Sequence, residues 1–170
     1  INIPASVTSI GLSAFNRCTD LTTVTFEAGS QLTSIQDSIF YSATKLETIT
    51  IPNSVISIGI RSFFNTKIET ITIPASVTGI GNQAFQNTTS LDRVIFERDS
   101  SLSTISTNAF TGSGLTTVFA EQSLINAKGW SSSIGGKTNV TFVDPSNSFF
   151  IDTTNNHYTI DITGDISQNS

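Results

Sequence analysis

The feature that most constrains this chain is a repeat. The pattern Ile-x-x-x-x-Phe occurs at Ile10–Phe15, Ile35–Phe40, Ile58–Phe63, Ile80–Phe85 and Ile105–Phe110. Its Phe residues stand at 15, 40, 63, 85 and 110, so successive units are 25, 23, 22 and 25 residues long. After each Phe comes a second signature: LTTVTF (21–26), LETITI (46–51), IETITI (68–73), LDRVIF (91–96) and LTTVFA (115–120). Residues Ile1–Ile3 repeat the tail of one more unit. A unit of this size cannot bury an apolar side alone, so stacked units must share one continuous core.

The variation in period is confined to turns. After the strand signature the chain uses either a short loop, with Pro4, Pro52 or Pro74 directly following, or a longer one with Gly29 or Asp99 in the turn. Proline has no N–H to donate and ends strand pairing cleanly. Within a signature the last residues alternate, which marks a half-buried strand. Val24 and Phe26 are expected to point inward, and Thr23 and Thr25 outward. The other half-turn is expected to bury Val7, Ile10 and Phe15 and their equivalents in the later units. A small residue recurs three positions after each Phe, at Cys18, Ala43, Thr66, Thr88 and Ser113. This column reads as a tight inward turn, with Cys18 a packed residue and not a nucleophile.

These motifs resemble the BspA-like (Treponema-type) leucine-rich repeat family. The match is close at LETITIPNSVISIGIRSF (46–63), IETITIPASVTGIGNQAF (68–85) and IPASVTSIGLSAFNRC (3–18), and it covers roughly residues 1–120. The family's Cys is kept only at Cys18. The resemblance implies a β-rich solenoid: a right-handed leucine-rich repeat coil with a parallel concave sheet, five to six repeats and a C-terminal cap. It also implies a surface or secreted interaction role, as in adhesin-like relatives, and it carries over no catalytic residue.

Beyond Phe119 the period fails. Residues 121–144 read as a C-terminal cap. Glu121–Trp130 is expected as a short helix stopped by Gly129, with Leu124, Ile125 and Trp130 covering the last coil. Lys137–Val143 is expected as one more strand. Residues 145–170 then read as an acidic, hairpin-like arm or the start of a following domain, with two strands within 148–162 around a TTNN turn. Four Asp against one Lys fall in 131–170. Phe149, Phe150, Tyr158 and Ile160 are too apolar for a plain solvated linker.

Composition narrows the function classes. The chain has 170 residues, a net charge of -5, one Cys, one His and no Met. Since Ile1 opens in mid-pattern, a longer parent polypeptide is expected. Eight scattered Lys and Arg form no basic stripe, which argues against nucleic acid. No apolar run is long enough to cross a membrane as a helix. No Cys/His cluster offers a metal site, no cofactor is expected, and Asp152, Asp161 and Asp165 lack calcium-loop spacing. His157 sits in a turn, and neither G-x-S-x-G nor S-x-x-K occurs, so no enzymatic activity is expected.

Two outward columns remain as candidate ligand surface. One is Thr23, Thr48, Thr70, Arg93 and Thr117; the other is Thr25, Thr50, Thr72, Ile95 and Phe119. Thr is an ordinary exposed strand residue, so the distinctive chemistry is Arg93, Ile95 and Phe119. Asn87 and Asn139 begin N-glycosylation sequons. The function expected is a non-catalytic module binding a protein or glycan partner on a cell surface or outside the cell. The alternative is a structural or assembly component, for example on a virion surface, docking through residues 145–170.

Overall fold

The computed structural model describes residues 1–145 in full, and the strand pairing of residues 149–153, 156–160 and 166–168. The chain winds as a parallel β-solenoid. Each coil adds one strand to a main ladder, and four of them add a short strand to a second. The main ladder has two parts. Asn2–Ile3, Thr23–Phe26 and Thr48–Ile49 form a parallel sheet, and Thr70–Ile73, Arg93–Phe96, Thr117–Phe119 and Thr141–Val143 form another. The second sheet stacks Ser34–Ile35, Ser57–Ile58, Gly79–Ile80 and Thr104–Ile105, also parallel.

The break in the main ladder falls after a turn one residue short, between Phe63 and Ile68. The turn after Phe110 is equally short, yet pairing continues there. At that turn Gly114 lies so close to the Thr89 carbonyl that a Cβ would come within 2.2 Å of it. The matching residue of the earlier turn is Lys67, whose Cβ forbids such an approach. Its N–H still reaches the Leu46 carbonyl at 3.0 Å, but the strands beyond do not pair.

The inward columns are as the alternation requires. Val24, Ile49, Ile71, Val94 and Val118 are buried in the main sheet, and Ile35, Ile58 and Ile80 in the second. Val7, Ile10, Phe15, Leu21 and Phe26, in the first coil, are only partly covered. Of the small-residue column, Ala43, Thr66, Thr88 and Ser113 are buried, and Cys18, in that same first coil, is half-buried. Thr66 and Thr88 donate their hydroxyls to the Phe63 and Phe85 carbonyls, which satisfies them inside the turn.

The Phe residues form a single stack. Rings 15, 40, 63, 85 and 110 lie with centroids 5.5, 5.5, 5.1 and 5.2 Å apart and nearly parallel. Each Phe N–H donates to the next coil: Phe15 to Ile39, Phe40 to Ser62, Phe63 to Ala84 and Phe85 to Ala109, all at 2.8–2.9 Å. The corner that aims the rings inward uses left-handed backbone on both sides. Ser13, Ser38, Arg61 and Gln83 have positive φ two residues before Phe, and Arg17, Ser42, Asn65, Asn87 and Gly112 two residues after it.

Residues 121–143 make a divergent sixth turn. The helix Gln122–Lys128 (α1) ends on Gly129 at φ 64, as its sequence position predicts. Leu124 and Trp130 pack on the core beside buried Ile125, and Trp130 lies 5.4 Å from both Phe96 and Phe142. The strand expected over Lys137–Val143 is divided. Lys137–Thr138 pairs antiparallel with Ser133–Ile134, and only Thr141–Val143 joins the main sheet. The division falls at Asn139, which is left-handed at φ 58, and at Val140, whose N–H turns to the Ser132 carbonyl. Gly135, at the tip of the small hairpin, accepts the Phe110 N–H at 2.8 Å. A Cβ there would lie 2.9 Å from the Phe110 ring, so only Gly can seal the stack. Phe149–Thr153, Asn156–Ile160 and Ile166–Gln168 form a three-stranded antiparallel sheet, one strand more than the hairpin expected. The side chains of Phe149, Phe150, Asp152, His157, Tyr158 and Ile160, and all of Asp161 and Asp165, lie outside the described residues.

Two substitutions in one coil test this account by urea denaturation. Phe63→Ala removes the middle of the stack and is expected to lose roughly 3–5 kcal/mol. Ser62→Ala should move the other way. The Ser62 hydroxyl is buried without a hydrogen-bond partner in a column otherwise held by Ala14, Ile39, Ala84 and Ala109, so its removal is expected to gain about 1 kcal/mol.

Candidate functional site

The outward side chains of the main sheet stand in register. Thr23 faces Thr48 across one pair of strands, and Thr70, Arg93, Thr117 and Thr141 continue the column beyond the break. The second column runs Asn2, Thr25, then Thr50, then Thr72, Ile95, Phe119 and Val143. The structure therefore gathers the sequence-predicted residues on one face, in two groups: Thr23, Thr25, Thr48 and Thr50 before the break, and Thr70, Thr72, Arg93, Ile95, Thr117 and Phe119 after it. Thr25, Thr48, Thr50, Thr70, Thr72 and Arg93 are exposed; Thr23 and Thr117 are half-buried. The Thr25 hydroxyl donates to Asn2 Oδ1 at 3.0 Å.

Ile95 and Phe119 are half-buried, not open as their outward positions predict. They are direct cross-strand partners, and Phe119 also faces Val143. Three apolar side chains thus shield one another in a lane that begins where the Thr column stops. Cross-strand aromatic and β-branched pairs of this kind stabilise a sheet while leaving an apolar surface. Val143 and Thr141 belong to this face and escape a reading by period, because α1 and the hairpin intervene. Their signal is the triplet Thr141-Phe142-Val143, a shuffled copy of Thr117-Val118-Phe119.

Charge borders this face along the strand starts. Arg93 Nε lies 3.3 Å from Asp92 Oδ2, and the Asp92 carboxylate also accepts the Thr116 hydroxyl. Lys67 pairs with Glu47 at 3.7 Å. Lys45 sits 2.7 Å from Asp20; this hydrogen bond and the attraction behind it hold the Asp20 carboxyl below its ordinary range and push the Lys45 ammonium up. Both groups are fully exposed, so the pair is screened by water and salt.

Four other carboxylates, those at strand exits, tie one coil to another at the main chain, and Asp37 does so at the corner by accepting the Ile60 N–H at 2.7 Å. Glu27 accepts the Ala5 N–H, Glu97 the Ala75 N–H, Glu121 the Asp99 N–H and Asp144 the Gln122 N–H, each across 22 residues at 3.0–3.1 Å. An acidic residue at the strand exit thus ties down the turn of the preceding coil, a role that local sequence patterns do not show. Among the described residues no cluster of His, Cys, Asp and Glu can hold a metal, and no helix is long and apolar enough to cross a membrane. The sequon residues Asn87 and Asn139 are exposed, both with left-handed backbone.

A family model described as BspA type leucine rich repeat region matches residues 1–116 in six copies. No curated protein matches the chain. Two crystal structures are similar. A leucine rich cell surface protein from Faecalibacterium prausnitzii A2-165 is 23% identical with a TM-score of 0.53, over 98% of this chain. A leucine-rich repeat protein from Bacteroides ovatus ATCC 8483 is 20% identical with a TM-score of 0.46, over 72% of this chain. The chain spans 44% of the first and 51% of the second.

The carboxylate ties are open to a direct test: Glu97→Ala frees the Ala75 N–H and is expected to destabilise the coil by about 1 kcal/mol in urea, leaving the outward face unchanged. The six-copy match, carried by stacked coils with one Phe per corner, makes this chain a member of the BspA-type leucine-rich repeat family.

Proposed function

We propose that the chain is a non-catalytic interaction module of a surface-exposed or secreted protein, of adhesin-like character. It grips a protein or glycan partner through the outward face of the main sheet. The observation that carries this reading is the Ile95–Phe119–Val143 lane beside the exposed Arg93, at the end of an otherwise Thr-lined face. Aromatic and Arg side chains anchor interfaces, while Thr supplies hydroxyls at low conformational cost. Membership of a repeat family whose units stack into a rigid surface supports the reading. So does the name of the Faecalibacterium protein, a leucine rich cell surface protein. Surface localisation is proposed on the same grounds, and the virion alternative gains no support from these relatives.

A second reading keeps the solenoid as a rigid spacer and gives the contacts to residues 145–170. It is favoured by the three-stranded sheet in that segment. Two variants separate the readings on a panel of immobilised host glycans and matrix proteins. Replacing Arg93, Ile95 and Phe119 together by Ala, Ser and Ser is expected to abolish capture with the thermal midpoint nearly unchanged. Deleting 145–170 should leave capture intact. Binding that survives the triple replacement and vanishes with the deletion transfers the function to the C-terminal segment.

A further inference from the structure

The second sheet stops one strand before the main sheet does. In each earlier coil the carbonyls of this sheet are taken by the next coil. Thr33 accepts from Ile56, Ile35 from Gly59, Ile56 from Thr78, Ile58 from Gly81 and Ile80 from Ser106. At the last strand, Thr104–Ile105, the sixth turn supplies α1 and a bend in place of a strand. The Lys128 ammonium reaches the Ser103 carbonyl at 2.7 Å, where the next backbone N–H belongs. Among the described residues no backbone N–H reaches the Ile105 carbonyl.

The absent strand leaves a groove of about 450 Å³, lined by Ser103, Thr104 and Ile105 on one side and by Lys128, Trp130 and Ile134 on the other. Its size suits a few residues of extended chain. Among its lining residues Lys128 carries the one charge and no carboxylate is present, in a chain of net charge -5. Charge in the groove is therefore opposite in sign to that of the molecule.

We propose that this groove binds a short extended peptide of a partner protein bearing an acidic residue. The peptide adds to the Thr104–Ile105 edge as the missing strand. One of its N–H groups donates to the Ile105 carbonyl, its carboxylate pairs with Lys128, and its neighbouring apolar side chain lies on Trp130 and Ile134. Strand addition of this kind draws affinity from main-chain hydrogen bonds and specificity from alternate side chains. The groove shares no residue with the Arg93, Ile95 and Phe119 face, so either site can fail without the other.

Trp130 is the chain's single Trp, and its fluorescence reports on the groove. The test selects a phage-displayed random heptapeptide library on the whole chain, with counter-selection on Lys128→Glu, then titrates the selected synthetic peptides by Trp130 fluorescence. Thermal midpoints establish that Lys128→Glu and the milder Lys128→Gln remain folded. Expected are peptides with a central Asp or Glu among β-branched residues, bound at least tenfold more weakly by Lys128→Glu and more weakly by Lys128→Gln. Methylating the one amide that faces Ile105 should weaken them by a similar factor. Failure to enrich acidic peptides, equal binding by both variants, or indifference to amide methylation would overturn the proposal. So would a Trp130 response to polygalacturonate fragments but to no peptide.

Discussion

The stack of five phenylalanine rings sets the terms for everything else in this molecule. Flat rings 5.1–5.5 Å apart leave little freedom in the rise from one coil to the next, and that rise is close to the roughly 4.8 Å between paired strands. One element therefore enforces the pitch that the sheets require. To place the rings on the axis, the first four corners adopt left-handed backbone before and after Phe, at residues as ill-suited as Arg61 and Gln83, and the Phe110 corner does so only after it, at Gly112. Such a conformation costs roughly 1–2 kcal/mol for a non-Gly residue. It is held because the ring it aims is buried, fully at Phe40, Phe63, Phe85 and Phe110 and partly at Phe15, and the Phe N–H is bonded to the next coil. The loops after the strands and the turns after Phe take up the variation in period, while the spacing from Ile to Phe inside each unit stays fixed.

This division explains which parts of the structure can be read from the sequence. The period, the inward columns and the small-residue turn repeat with the stack, so they are visible wherever the stack is. The helix end at Gly129 is visible too, because its signal is local. What the sequence hides are contacts between one coil and the next. The ties from Glu27, Glu97, Glu121 and Asp144 join residues 22 apart, and each acid looks like an ordinary turn residue in its own segment. Lys137–Val143 reads as a continuous strand because nothing in its own composition shows that Gly135 must sit against Phe110. That contact pulls the chain aside before Thr141 returns to the sheet.

The candidate face shows the same limit. Both Thr columns and the change at Arg93 follow from the alternation, so ten of its residues are legible one by one. Their full extent is not. Ile95 and Phe119 read as an exposed patch with Arg93 in adjacent coils, whereas the register makes them a half-buried lane shared with Val143, whose place in the sheet depends on the sixth turn. The gap in the ladder before Thr70 is hidden in a different way. Two turns have the same length, but the one with Gly114, packed against the Thr89 carbonyl, keeps its strands paired and the one with Lys67 does not.

A repeat that stacks perfectly averages its own surface, since each coil offers the solvent what its neighbour offers. Distinct chemistry arises where one coil departs from its neighbours, at Arg93 and Ile95 within a regular coil and at the end where the core is closed. Closing the core there requires that the Phe column give way to Gly and that a strand of the second sheet give way to helix. The first change seals the stack. The second leaves an open sheet edge with Lys128 standing in for a backbone donor. The main sheet meanwhile gains Thr141–Val143, which extends the lane begun by Ile95. The requirement to terminate a core thus extends an apolar lane on one sheet and opens a cationic groove at the end of the other.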